Sequence, residues 1–142
     1  MIRSLRVVAG AILMIVGGFV TQAQVRDVKP VTDAMLLNPD PADWPNWRRT
    51  LDGWGYSPLT QINRNNVAQL RMVWGHGLGS GNQEGTPLVW NDTIYAITSW
   101  SVVVALDART GKERWRWDPE VNQDAVRPKI CCGAVNLSLI HI

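Results

Sequence analysis

The sequence predicts an all-β fold, and three observations carry the prediction. Beyond residue 70, five short segments (residues 71–76, 86–90, 93–98, 102–106 and 113–117) are rich in β-branched and aromatic side chains. Turn formers separate the later ones: Asn91-Asp92 follows the second segment, and residues 108–111 follow the fourth. The aromatic content is also skewed, with 8 Trp against 2 Tyr and 1 Phe. Such a bias means large flat residues packing between sheets or against a planar ligand.

The chain opens with Arg3 and Arg6, an apolar run over residues 7–20, and Thr21-Gln22-Ala23. A basic start, an apolar stretch of about 14 residues and a small-residue site read as a secretory leader cleaved near Ala23. A spanning helix needs roughly 20 apolar residues, so a permanent anchor is the weaker reading. No cysteine lies near the cleavage point to carry a lipid. Export places the mature chain in an oxidising compartment, the periplasm, where disulfides persist. Without residues 1–23 the +2 net charge falls to zero, because two arginines and no acids leave with them. No basic patch argues for nucleic acid, and no acidic block argues for a tail.

Residues 24–70 read as an irregular segment with short helices. Thr32 caps the first of these, and Asn63 caps a second that ends near Leu70. Residues 46–57 mix Trp, Gly and charge without periodicity and read as irregular structure laid over the surface. Residues 71–136 hold the strands.

Cys131 and Cys132 are adjacent. Neighbouring Cα atoms lie about 3.8 Å apart, whereas an ordinary disulfide wants roughly 4.4–6.8 Å. A bond between them closes a small strained ring, and strain kept at one point is often tied to a site. Two adjacent buried thiols are the plainer reading, and the residues alone leave both open.

The best-defined unit is the eleven residues Ala105-Leu106-Asp107-Ala108-Arg109-Thr110-Gly111-Lys112-Glu113-Arg114-Trp115. Asp107 and Thr110 can bond the turn backbone through their side-chain oxygens. Gly111 supplies the positive φ that a longer hairpin with a bulge requires. Trp115 then returns on the outgoing strand, where it can lie against a neighbouring sheet.

This unit resembles the tryptophan-docking motif of the eight-bladed β-propeller quinoproteins. In these proteins each such Trp wedges between adjacent blades. Leu70-Arg71-Met72-Val73-Trp74 is similar to the end of a preceding copy. Five further motifs follow in the order seen in the PQQ-dependent methanol and ethanol dehydrogenases. They are Asp43-Trp44, Tyr56-Ser57-Pro58-Leu59, Ile62-Asn63-Arg64-Asn65-Asn66-Val67, Gln83-Glu84-Gly85-Thr86-Pro87 and Cys131-Cys132-Gly133-Ala134-Val135-Asn136. The resemblance covers roughly residues 30 to 136. It implies the first part, about two blades, of such a propeller.

By this resemblance Glu84 matches the glutamate that hydrogen-bonds the edge of pyrroloquinoline quinone (PQQ). Taken alone, Glu84 reads equally as a surface carboxylate in a Gly-rich loop. Cys131 and Cys132 match the pair whose disulfide ring lies on one face of the quinone. The family pattern then continues with an Arg and a Gly, but this chain carries Leu137-Ser138-Leu139-Ile140-His141-Ile142. That string resembles translated adapter sequence, so residues 137–142 are read as foreign and given no role. A propeller blade takes roughly 40–45 residues and closure at least about four blades. The sequence is therefore read as the N-terminal fragment of a longer protein.

The resemblance implies oxidation of a primary alcohol by hydride transfer to PQQ. Ca²⁺ or a lanthanide serves as Lewis acid, an Asp takes the hydroxyl proton, and cytochrome c receives the electrons. It implies that the catalytic base and metal ligands lie beyond this chain and that the fragment alone is inactive. His76 stands by itself in the sequence, and Asp40 and Asp43 lack metal-ligand spacing. Two other classes share some features. A non-enzymatic periplasmic propeller scaffold has no use for a quinone-facing cysteine pair. A PQQ-dependent glucose dehydrogenase begins with several membrane helices and lacks that pair.

Overall fold

The computed structural model describes residues 29–131 and 134. The leader, Cys132, Gly133 and the segment 135–142 lie outside the described residues. The chain orders as helix α1 (Asp33–Leu37), strands β1 (Leu88–Trp90), β2 (Thr93–Ile97), β3 (Val103–Asp107) and β4 (Glu113–Trp117), then helix α2 (Gln123–Val126). Among the described residues, single 3₁₀ turns at Val67–Gln69 and Arg127–Lys129 and a left-handed turn at Ser99–Ser101 complete it.

The four strands form one antiparallel meander in the order β1-β2-β3-β4. Its turns explain why it forms. Asn91 and Asp92 both take positive φ, 48° and 56°, which gives the two-residue hairpin between β1 and β2 its matching twist. The Asp43 carboxylate accepts from Asn91 N–H at 2.9 Å, which ties the N-terminal segment onto this turn. Between β3 and β4, Asp107 Oδ1 accepts from the N–H groups of Arg109 (3.1 Å) and Thr110 (2.9 Å) and from the Thr110 hydroxyl (2.9 Å). Gly111 sits at φ +69°, and the register shifts between Ala105 and Leu106 as a bulge.

Strand alternation gives the sheet two apolar faces. Leu88, Trp90, Tyr95 and Ala105 share one face, covered by Val31, Met35 and Trp115. Ala96, Val104 and Leu106 share the other, covered by Trp74, Leu78 and Ile94. Val104 and Ala105 are fully buried, so β3 is the centre of the core. Long-range hydrogen bonds tie the N-terminal segment to the rim of the sheet. Trp90 Nε1 donates to Lys29 O at 2.8 Å, and Trp44 exchanges both backbone hydrogen bonds with Val89 (2.7 and 2.9 Å). That bridge covers the free edge of β1, which would otherwise present unpaired backbone groups.

Helix α1 begins where expected, with Thr32 Oγ1 accepting from Met35 N–H at 3.4 Å. The second short helix differs. Asn63 opens its turn through its side chain, accepting from Asn65 N–H at 3.0 Å, but the helical part is the single turn Val67–Gln69.

Residues 71–76, expected as a strand, are not one. A strand needs a partner, and among the described residues none pairs with this segment; Met72 and Val73 are 88% and 84% exposed. Of the about two blades expected, the described residues build one four-stranded sheet.

Trp74, at the end of that segment, packs on the β3–β4 turn. Its indole N–H donates to Ala108 O at 3.2 Å, and its ring lies against Gly111, where a Cβ would come within 2.5 Å of Cε3.

Candidate functional site

The meander sorts its connections to two ends. The two tight turns lie at one end. The other end collects the start of β1, the β2–β3 connection and the exit of β4, because Ile97, Val103 and Trp117 are register partners there. Glu84 lies four residues before β1, and the segment leading to Cys131 follows β4. Topology therefore carries both sequence-predicted contact segments to the same end of the sheet.

The β2–β3 connection is the hub of that end. Thr98 N–H donates to Val102 O at 2.8 Å and closes the loop. Within it Trp100 and Ser101 adopt φ of 63° and 65°, the left-handed region that L-residues avoid at a cost of about 1–2 kcal/mol each. Such strain persists only where its surroundings enforce it, commonly at sites. Ser99, 6% exposed, donates its hydroxyl to Asn82 O at 2.9 Å and accepts from Gln83 Nε2 at 3.5 Å. Gly81, at φ +114°, passes so close that a Cβ would lie 2.5 Å from Ser99 Oγ.

Glu84 follows directly and is exposed, and its carboxylate accepts no hydrogen bond from the described residues. Its backbone is held through its neighbours while its acceptor oxygens are presented outward. On the other side of the loop, the Arg127 guanidinium stands 5.6 Å from the centre of the Trp100 ring. Arg127 begins the 3₁₀ turn Arg127–Lys129, which delivers the exposed Cys131. Cys132, and with it the expected disulfide, lies outside the described residues.

By its chemistry the outward, acceptor-only carboxylate of Glu84 suits a proton-bearing edge of a planar group. Among the described residues no group of three or more His, Cys, Asp or Glu side chains converges.

Other candidate groups have structural work to do. Asp107 pairs with Arg114 at 2.7 Å, and that guanidinium, then the Thr110 hydroxyl and N–H, hold its carboxyl well below the usual carboxylate range. Asp40 and Asp43 serve turns, Asp40 Oδ1 accepting from Ala42 N–H at 2.9 Å. His76 Nε2 lies 3.9 Å from Glu113 Oε2 and is buried without a hydrogen-bond partner among the described residues. Sequence reasoning missed Ser99, Trp100 and Arg127. The only available signal was a bulky Trp between two serines in the gap between two strand patterns.

Comparison with known proteins agrees with this architecture. Residues 44–138 match the model of the PQQ glucose/ethanol/alcohol dehydrogenase β-propeller domain. The chain is 40% identical over 125 residues to the dehydrogenase subunit of the quinone alcohol dehydrogenase of Gluconacetobacter polyoxogenes, covering 86% of this chain and 17% of that one. Among solved structures it is similar to the quinohemoprotein alcohol dehydrogenase ADHIIG of Pseudomonas putida HK5 (38% identity, TM-score 0.68, 75% of this chain and 16% of that one). It is also similar to a europium-containing methanol dehydrogenase (33% identity, TM-score 0.65, 75% and 19%). The chain thus spans about a sixth of the length of the relatives it matches.

Proposed function

Because the chain belongs to the PQQ-dependent glucose/ethanol/alcohol dehydrogenase β-propeller family, we propose that it supplies part of the cofactor site of an enzyme oxidising primary alcohols of the methanol and ethanol type. The four-stranded meander is a propeller blade. The observation that carries the reading is the convergence of the Glu84 loop and the Cys131 segment on one end of that blade.

In this reading Glu84 accepts a hydrogen bond from the edge of PQQ. Cys131 and Cys132, bonded to each other, cover one of its faces. When bound, PQQ supplies the two-electron chemistry that removes hydride from the alcohol carbon. The residues of this chain hold and orient; none of them takes the alcohol proton. That base, and the ligands of a Ca²⁺ or lanthanide ion, belong to parts of the enzyme outside this chain. The apolar side chains exposed here, such as Trp54 (78%), Met72 (88%) and Trp117 (56%), are surfaces for the further blades.

Electrons pass on to a cytochrome c, a reading supported by a relative from Thauera butanivorans named 1-butanol dehydrogenase (cytochrome c), 44% identical over 85 residues. The leader pattern of residues 1–23 supports a periplasmic reading, a compartment in which a vicinal disulfide can form. The cysteine pair favours an alcohol over glucose as substrate.

The test is an assay of the full-length protein, reconstituted with PQQ and Ca²⁺ or La³⁺, by dye reduction with ethanol, methanol and glucose. PQQ-dependent turnover of the alcohols supports the reading. Turnover of glucose alone overturns the substrate class, and turnover independent of PQQ overturns the cofactor.

A further inference from the structure

The β2–β3 loop touches both segments assigned to the cofactor, and it does so through two adjacent side chains, Ser99 and the strained Trp100. Ser99 is buried and bonded to the backbone carbonyl of Asn82, two residues before Glu84. Gln83 adds a second, longer contact to the same hydroxyl. The absent Cβ at Gly81 lets the two chains approach this closely. Next in sequence, Trp100 is held at φ 63° with the Arg127 guanidinium over its ring, four residues before Cys131.

A loop that only joined two strands would need none of this. A two-residue turn does that work between β1 and β2 without bulky side chains. Here the longer connection spends a left-handed Trp and a buried Ser on contacts to chain segments 17 and 27 residues away.

We propose that the β2–β3 loop is a positioning clamp: Ser99 fixes the loop that presents Glu84, and Trp100, through Arg127, fixes the segment that presents Cys131. This rests on the cofactor reading above, and it names residues that do not touch the cofactor yet set how well the contacting groups are pre-organised. In the free protein the clamp keeps the Glu84 loop in its binding geometry, so less ordering is required when PQQ arrives. Ser99 and Arg127 are positioning residues.

The test uses apoprotein of the full-length enzyme and two readouts. Amide hydrogen exchange decides the clamp itself. Ser99→Ala is expected to speed exchange at residues 82–86 about tenfold while leaving β2 and β3 protected. The exposed Arg127→Met, which keeps the stem over Trp100 and cannot threaten the core, is expected to speed exchange at residues 129–131 by about two- to fivefold. Unchanged exchange at both places overturns the clamp.

PQQ titration then decides whether Ser99 acts through Glu84. Ser99→Ala is expected to weaken PQQ binding by about tenfold in the native background and less than about twofold in a Glu84→Ala background. An equal loss in both backgrounds overturns positioning through Glu84. If Glu84→Ala alone leaves PQQ affinity unchanged, the cofactor reading of Glu84 fails, and the exchange data still decide the clamp.

Discussion

The indole of Trp74 rests on the α-carbon of Gly111 and donates its N–H to Ala108 O at 3.2 Å. Thirty-seven residues apart in sequence, the two meet because the turn presents a bare backbone surface. Gly111 therefore has two reasons to lack a side chain: its φ of +69°, and a ring where the Cβ would be.

Gly111→Ala should accordingly be costly. The left-handed conformation and the displaced indole together predict a loss of about 2–4 kcal/mol. Trp74→Phe keeps most of the packing and loses the hydrogen bond, predicting about 1 kcal/mol. Denaturant unfolding of the full-length protein checks both, and a Gly111→Ala midpoint equal to wild type would refute the docking account.

The same turn carries a pH dependence. The Asp107 carboxyl titrates below its ordinary value of 3.8, chiefly because of the Arg114 guanidinium. A depressed folded value means that its stabilisation is complete above the unfolded value and is lost as pH falls through that range toward the folded one. Melting temperature should therefore drop on acidification below about pH 4, and Asp107→Asn should flatten that part of the profile. An identical acid profile in the variant would remove Asp107 from the account.

In the full-length enzyme Cys131 and Cys132 should be bonded to each other. A non-reduced peptide spanning them should weigh about 2 Da less than the dithiol, as bond formation requires. Alkylation of both thiols without reductant would show that no such ring exists.

Much of the blade was legible in the sequence because its turns are local chemistry. Asn91-Asp92 and the Asp107–Gly111 turn specify their own backbone, so two of the three strand pairings, β1–β2 and β3–β4, needed no long-range knowledge. Residues 71–76 misled, since a β-rich pattern reports a preference for pairing and not the presence of a partner. Ser99 was illegible for a related reason. A hydroxyl that bonds a carbonyl 17 residues away leaves no periodicity, and only the folded meander brings the two together. Glu84 could be singled out by its motif, but its outward presentation depends on how its neighbours are held.

The 142 residues by themselves should show no dehydrogenase activity. Among those described, no side chains converge on a metal, and the chain covers 17% of a relative that is a whole dehydrogenase subunit. Dye reduction with ethanol, PQQ and Ca²⁺ or La³⁺ should stay at the level of free quinone. Turnover above that level would place the base and metal ligands within this chain.

The central claim is that residues of this blade hold the cofactor, and PQQ affinity of the full-length Glu84→Ala apoprotein tests it most directly. Truncation leaves a polar group of PQQ unpaired in its pocket, predicting a loss of about 1–3 kcal/mol, or roughly 5- to 150-fold in dissociation constant, with the apoprotein melting temperature unchanged. Unchanged affinity, or an equally large fall in apoprotein stability, would contradict it.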